Sequence, residues 1–154
     1  MATVADNPAL EVEEAIVAHL RALADAGEIP CGADQIRRRL DISGEPKGLA
    51  GIVVAVADRG DHAGCVGRVL VDVAPEISCW SHLDEDADGS VCDALAGAAM
   101  AAMQTITYNL PSWRVAWRGS WTRGAASAAD AFRSITLAAT LPLMRGGANS
   151  TSED

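Results

Sequence analysis

The chain has 154 residues, 49% of them hydrophobic, and a formal net charge of −9. That is the size of one domain with enough apolar surface for a real core. Its acidity argues against tightly held nucleic acid, which needs Lys and Arg to neutralise phosphates. The aromatic residues are four Trp, one Tyr and one Phe, so the core must come mostly from Ala, Val, Leu and Ile.

Residues 1–7 read as a flexible tail that ends in an N-cap, Asn7, followed by Pro8 at the first helical position. No basic region precedes an apolar core there, so no signal peptide is expected. No run of about 20 apolar residues spans a membrane. A helix is predicted from Pro8 to Ala26, closed by Gly27. Val12, Ile16, Leu20 and Leu23 form its apolar face, with Glu11, Glu14, Arg21 and Asp25 off that stripe.

Residues 28–50 are punctuated by Pro30, Gly32, Gly44, Pro46 and Gly48 and read as a long loop, with a short helix or turn over Ala33–Leu40. Arg37, Arg38 and Arg39 are its basic run, either a solvated turn or a docking patch for an acidic partner. Gly51–Asp58 reads as an apolar strand, followed by hairpin chemistry over Arg59–Gly64. Cys65–Ser81 alternates as a long strand in which Pro75, lacking an N–H, marks an edge, a bulge or a kink.

The stretch Asp84-Glu85-Asp86-Ala87-Asp88-Gly89 opens two readings. Asp84, Asp86 and Asp88 match the first ligand positions of a calcium loop, but the bidentate carboxylate at the twelfth position is replaced by Leu95. The other reading is a helix start, with Ser90 and Asp93 in an S-x-x-D pattern and acids favouring the helix dipole. Cys79, His82, Cys65 and Cys92 have none of the usual zinc spacings, and the cysteines read as free thiols in a reducing cytoplasm.

The helix Val91–Ile106 is apolar nearly all round, which predicts burial on two sides and no solvent face at Ala98. Trp113–Thr122 alternates as a strand carrying Trp113, Trp117 and Trp121 on one face and Arg114 and Arg118 on the other. Its tryptophans are either core or interface anchors. Arg123–Asp130 reads as a small-residue loop, Phe132–Leu143 as a closing strand, and residues 144–154 as a disordered acidic tail. The order α-β-β-α-β-β over residues 8–143 predicts a single α+β domain: an antiparallel sheet of about four to five strands with two main helices on one face. His19 and His62 have no neighbouring nucleophile motif, and no glycine-rich phosphate loop follows a strand.

Helix Pro8–Ala26, the hairpin within Gly51–Cys79, the acidic turn Asp84–Gly89 entering Val91–Ile106, and the closing pair ending Ile135–Leu143 together resemble phage tail terminator (tail completion) proteins, including minor tail proteins of prophages. The resemblance covers residues 8–143 and rests on pattern and topology. It implies a non-enzymatic structural protein without cofactor, found in the virion and in the host bacterial cytoplasm during assembly. Its subunits would form a ring, typically a hexamer, that caps the tail tube and joins it to the head–tail connector, with DNA only passing through the lumen. The interface residues expected on this reading are Arg114, Trp117, Arg118, Trp121 and Ala98, with Arg37, Arg38 and Arg39. A calcium-binding module using Asp84, Asp86 and Asp88, and a small cytosolic α+β enzyme or ligand-binding domain, stand as alternatives.

Overall fold

The computed structural model describes residues 7–39, 49–61 and 70–145. Helix α1 runs Pro8–Asp25. Its first turn is capped as the sequence predicts: Asn7 Oδ1 accepts from Leu10 N at 3.0 Å and Pro8 sits where no N–H is needed. Gly27, at φ +81°, supplies the left-handed residue beyond its end.

Strands β1 (Ile36–Arg38), β2 (Ala50–Asp61) and β3 (Leu70–His82) precede helix α2 (Ser90–Thr105). Strands β4 (Trp113–Val115), β5 (Thr122–Arg123), β6 (Ser127–Ala129), β7 (Phe132–Ala138) and β8 (Leu141–Arg145) follow it. Among the described residues these form one eight-stranded sheet of α+β class. Its central part is antiparallel, with β3 between β2 and the line formed by β7 and β8. The long loop expected over 28–50 contains a sheet element: β1 lies parallel to β2, pairing Ile36 with Ile52. Tertiary pairing overrides the loop signal because Ile36 is fully buried. Residues 40–48 and the hairpin tip with His62, Gly64 and Cys65 lie outside the described residues, as do 1–6 and 146–154. Met144 and Arg145, expected in the C-terminal tail, belong to β8.

One face of the sheet carries Ile52, Val54, Val73, Ile77, Cys79, Ile135, Leu137, Leu141 and Leu143 into the core. Val12, Ile16 and Leu20 of α1 and Cys92, Leu95, Ala96 and Ala99 of α2 close it from the same side. Burial of these side chains is the main favourable term for the fold. His19 joins the helices, its Nε2 lying 3.2 Å from the Ala102 carbonyl. Glu11, expected on the polar face, is buried and accepts from Ser112 N at 3.0 Å, tying α1 to the entry of β4. No helix is long and apolar enough to cross a membrane among the described residues.

The basic run has a partner inside the molecule. Arg38 Nε donates to Glu13 Oε2 at 2.6 Å and its guanidinium approaches Glu14 at 3.8 Å. The Glu13 side chain is only 8% exposed, so Arg38→Ala leaves a buried carboxylate without this ion pair. We expect a loss of about 2 kcal/mol, read from the urea midpoint. An unchanged midpoint would assign the pair no role in stability.

Pro75 organises the C-terminal half. It lies mid-sheet, paired with Val56 on β2. On its other side Ala139 N donates to the Pro75 carbonyl at 3.2 Å, but Pro75 has no N–H to return. The closing strand is interrupted there: β7 ends at Ala138 opposite Glu76, and β8 begins at Leu141 opposite Val73, in the same register. The expected single strand Phe132–Leu143 is therefore two.

The next strand breaks as well. Val115 pairs with Leu143 and Thr122 with Ala138, so six residues (116–121) span four (139–142). Two extra residues are thrown out as a bulge, which re-aims the side chains it contains. The strand predicted over Trp113–Thr122 thus becomes β4 and β5. Gly119 holds the return: a Cβ there would stand 2.5 Å from the Thr140 carbonyl oxygen.

Candidate functional site

Several of the residues singled out in the sequence lie at the two ends of α2. At its N-terminus, Asp86 is the pivot. It is 2% exposed, and its carboxylate accepts from Ser81 Oγ at 2.8 Å, Val91 N at 3.0 Å and Cys92 N at 2.9 Å. Burial alone would raise its pKa. The bonds from Val91, Cys92 and Ser81 and the nearby Arg133 charge outweigh burial and hold it below its ordinary 3.8. Asp86 therefore caps α2 from four residues before its first turn, a role read in the sequence for Ser90 with Asp93.

Ser90 is instead the first helical residue, after Gly89 as N-cap at φ +79°. Arg133 lies against Gly89, where a Cβ would meet its guanidinium at 3.2 Å, and donates to the Asp86 and Ala87 carbonyls at 3.2 Å each. Asp93 pairs with Arg123. Asp88 Oδ1 accepts from Ser90 N at 3.0 Å, and bonding from Ser90 keeps its pKa below the ordinary value.

Asp84, Glu85 and Asp88 are exposed while Asp86 points inward. No group of three or more His, Cys, Asp or Glu suited to a metal ion occurs among the described residues. Cys79 and Cys92 are buried side by side, Cys92 Sγ donating to the Cys79 carbonyl at 3.3 Å. Burial, then the neighbouring Cys92, pushes the Cys79 thiol up to about 12. Burial, then Asp86, raises Cys92 as well. Protonated thiols are poor nucleophiles and poor metal ligands. His82 packs against Phe132, the two rings tilted with centroids 4.6 Å apart.

The C-terminal end of α2 is built by the bulge. Arg118 turns back to the helix, its Nη1 donating to the Gln104 carbonyl at 3.1 Å and its Nη2 to the Ile106 carbonyl at 3.3 Å. A cation on the last carbonyls complements the helix dipole. Arg118→Ala should cost about 1 kcal/mol on these grounds. A thermal melt superimposable on the wild type would refute the capping role.

Arg118 also separates two hollows. One, of roughly 300 Å³, is lined by Ile106, Thr107, Tyr108, Arg114, Val115 and Arg118. The other, of roughly 270 Å³, is lined by Met103, Gln104, Arg118, Gly119, Ser120 and Trp121. Burial drives the Tyr108 hydroxyl up to about 12 against the opposing Arg118 charge.

The three tryptophans differ in burial, and only Trp117 leaves the core. Trp113 is buried under Arg145, whose guanidinium carbon lies 4.6 Å from the ring centroid. Trp121 is half-buried, and Trp117, in the bulge, is 51% exposed. Period-two alternation could not reveal the exposure of Trp117, because it lies inside the bulge; an insertion of two residues keeps the strand faces on either side in step.

Between its ends, α2 buries Cys92, Leu95, Ala96, Ala99, Ala102 and Met103. Its other side presents Ala94, Gly97 and Ala101 exposed, with Ala98 half-buried. The two-sided burial expected for this helix is thus one-sided within the chain. Arg37 is half-buried and Arg39 exposed at the β1 edge, away from the α2 ends in sequence and joined to the α1 side of the sheet.

No family model matches the chain, and no curated protein does. A solved structure is similar to it with a TM-score of 0.55 at 13% identity, over 87% of this chain and 94% of the other, a likeness of fold alone.

Proposed function

We propose that the chain is a structural virion assembly subunit of the tail-terminator type. In this reading it forms a homo-oligomeric ring, a hexamer, that caps the tail tube and meets the head–tail connector while DNA passes through the lumen. It performs no catalysis and takes no cofactor, and it works in the virion and in the bacterial cytoplasm during assembly.

The observation that supports this most is the outer face of α2. Exposed Ala94, Gly97 and Ala101 form an apolar, close-approach surface where a solvated helix would carry charge. A net charge of −9 suits a lumen that DNA must traverse without sticking.

The test is tube capping. Purified protein added to polymerising tail-tube protein should arrest growth and leave a terminal ring visible by negative-stain microscopy. Ala94→Glu with Ala101→Glu should abolish capping while changing monomer stability by no more than about 0.5 kcal/mol, because both sites face solvent. Tubes that grow unchecked with the wild-type protein would refute the reading.

A further inference from the structure

We infer that the ring contact is directional: the acidic start of α2 in one copy docks on the Trp117–Arg114 surface at the end of α2 in the next. The inference rests on the ring reading and adds which surfaces meet. Among the described residues, three large hydrophobic side chains are exposed: Leu49, Val91 (38%) and Trp117 (51%). Val91 and Trp117 belong to opposite ends of α2, which at 16 residues is about 24 Å long.

In sequence, each of the two is flanked by charge of one sign. Val91 follows the exposed carboxylates of Asp84, Glu85 and Asp88. The cations on that side already have partners: Arg123 pairs with Asp93 at the surface, and Arg133 donates to backbone carbonyls. Trp117 lies between Arg114 and Arg118 in sequence, and both arginines line a hollow with Tyr108 and Val115. The two patches therefore match in both senses, apolar centre to apolar centre and acid to base.

Such a pair of unlike surfaces on one chain is heterologous: each copy offers one socket and one plug, so association continues until a rotation closes it. Complementary charge fixes the register and rejects like-to-like contact. The second copy is a better occupant than an unrelated acidic peptide, because the chain itself carries a matching acidic segment with an apolar residue beside it.

The experiment uses two variants of the full chain, each lacking one surface. The plug variant is Asp84→Lys with Glu85→Lys. The socket variant is Arg114→Ala with Trp117→Ala. Arg118 is left intact because it caps α2. Sedimentation velocity and native mass spectrometry are run on the wild type, each variant alone and their equimolar mixture, with circular dichroism confirming the fold.

The wild type should exceed a dimer, and each variant alone should associate at least about tenfold more weakly. The mixture should recover dimers and stop there, since only one intact plug meets one intact socket. A wild-type protein that assembles fully while both variants assemble equally well overturns this pair of surfaces and leaves the ring standing. A wild type that stops at a dimer contradicts the head-to-tail arrangement. A wild type that stays monomeric overturns both.

Discussion

Replacing Asp86 with Ala is expected to destabilise the protein by about 3 kcal/mol. Three donors lose their acceptor together: the Val91 and Cys92 amides and the Ser81 hydroxyl. Loss of a helix cap costs about 0.5–2 kcal/mol. Ser81 is fully buried, so its orphaned hydroxyl adds about 1–3 kcal/mol. For a domain of this length the melting temperature should fall by about 6–12 °C.

The same residue predicts an acid limb. Its carboxyl is held below the ordinary 3.8 in the folded chain, so the folded state favours the ionised form. The contribution is full above about pH 4, the unfolded value, and drains away as pH falls through the lower folded value. Asp86→Asn keeps an acceptor oxygen but cannot ionise. It should be less damaging than Ala and should flatten stability against pH below about pH 4. A wild-type acid limb that survives in the Asn variant would show that other carboxylates carry it.

Gly51→Val is the second large effect. Gly51 stands opposite Trp80 in the β2–β3 pair. A Cβ there would be 2.7 Å from the Gln35 carbonyl oxygen and 2.9 Å from the Trp80 ring. Neither obstacle is a flexible side-chain end: one is backbone at the start of β1, the other an indole that is 8% exposed. Glycine lets Trp80 lie across the strand and lets β1 pair alongside it. Valine should push both away, at about 1–3 kcal/mol for overpacking, and increase the solvent quenching of Trp80 fluorescence. A crystal structure of the variant with β1 and Trp80 unmoved would reject this account.

Much of this architecture is legible in the sequence because it rests on local signals. Asn7-Pro8 and Gly27 bound α1 by the N-cap, proline and left-handed glycine rules, and the stripe Val12, Ile16, Leu20 is its buried face. Alternation in Val73, Ile77 and Cys79 gave the buried side of β3. What escaped depends on long-range pairing. Strand β1 has three residues and exists because Ile36 fills a place beside Ile52. Pro75 is a local irregularity, but its consequence is felt more than 40 residues away, first as the gap at 139–140 and then as the bulge at 116–121. A bulge re-aims the residues it contains, so Trp117, expected on one face with Trp113 and Trp121, turns to solvent while Trp121 packs against the core that holds Trp113.

At the acidic loop the composition was visible but the division of labour was not. Asp86 differs from Asp84 and Asp88 only by where the chain turns. The turn sends one carboxylate under the helix and leaves the others in solvent. Arg118, expected at an interface from its neighbourhood to Trp117, also has a structural duty on α2. A charge reversal at this position would weaken the monomer and its contacts together, which is why Arg114 and Trp117 are the cleaner probes.

The central claim is self-association into a closed ring, and sedimentation velocity of the wild-type protein over a range of concentrations tests it most directly. The account predicts one species of ring size, a hexamer, that replaces the monomer as concentration rises and does not grow beyond closure. A single monomeric boundary across the whole range would contradict it.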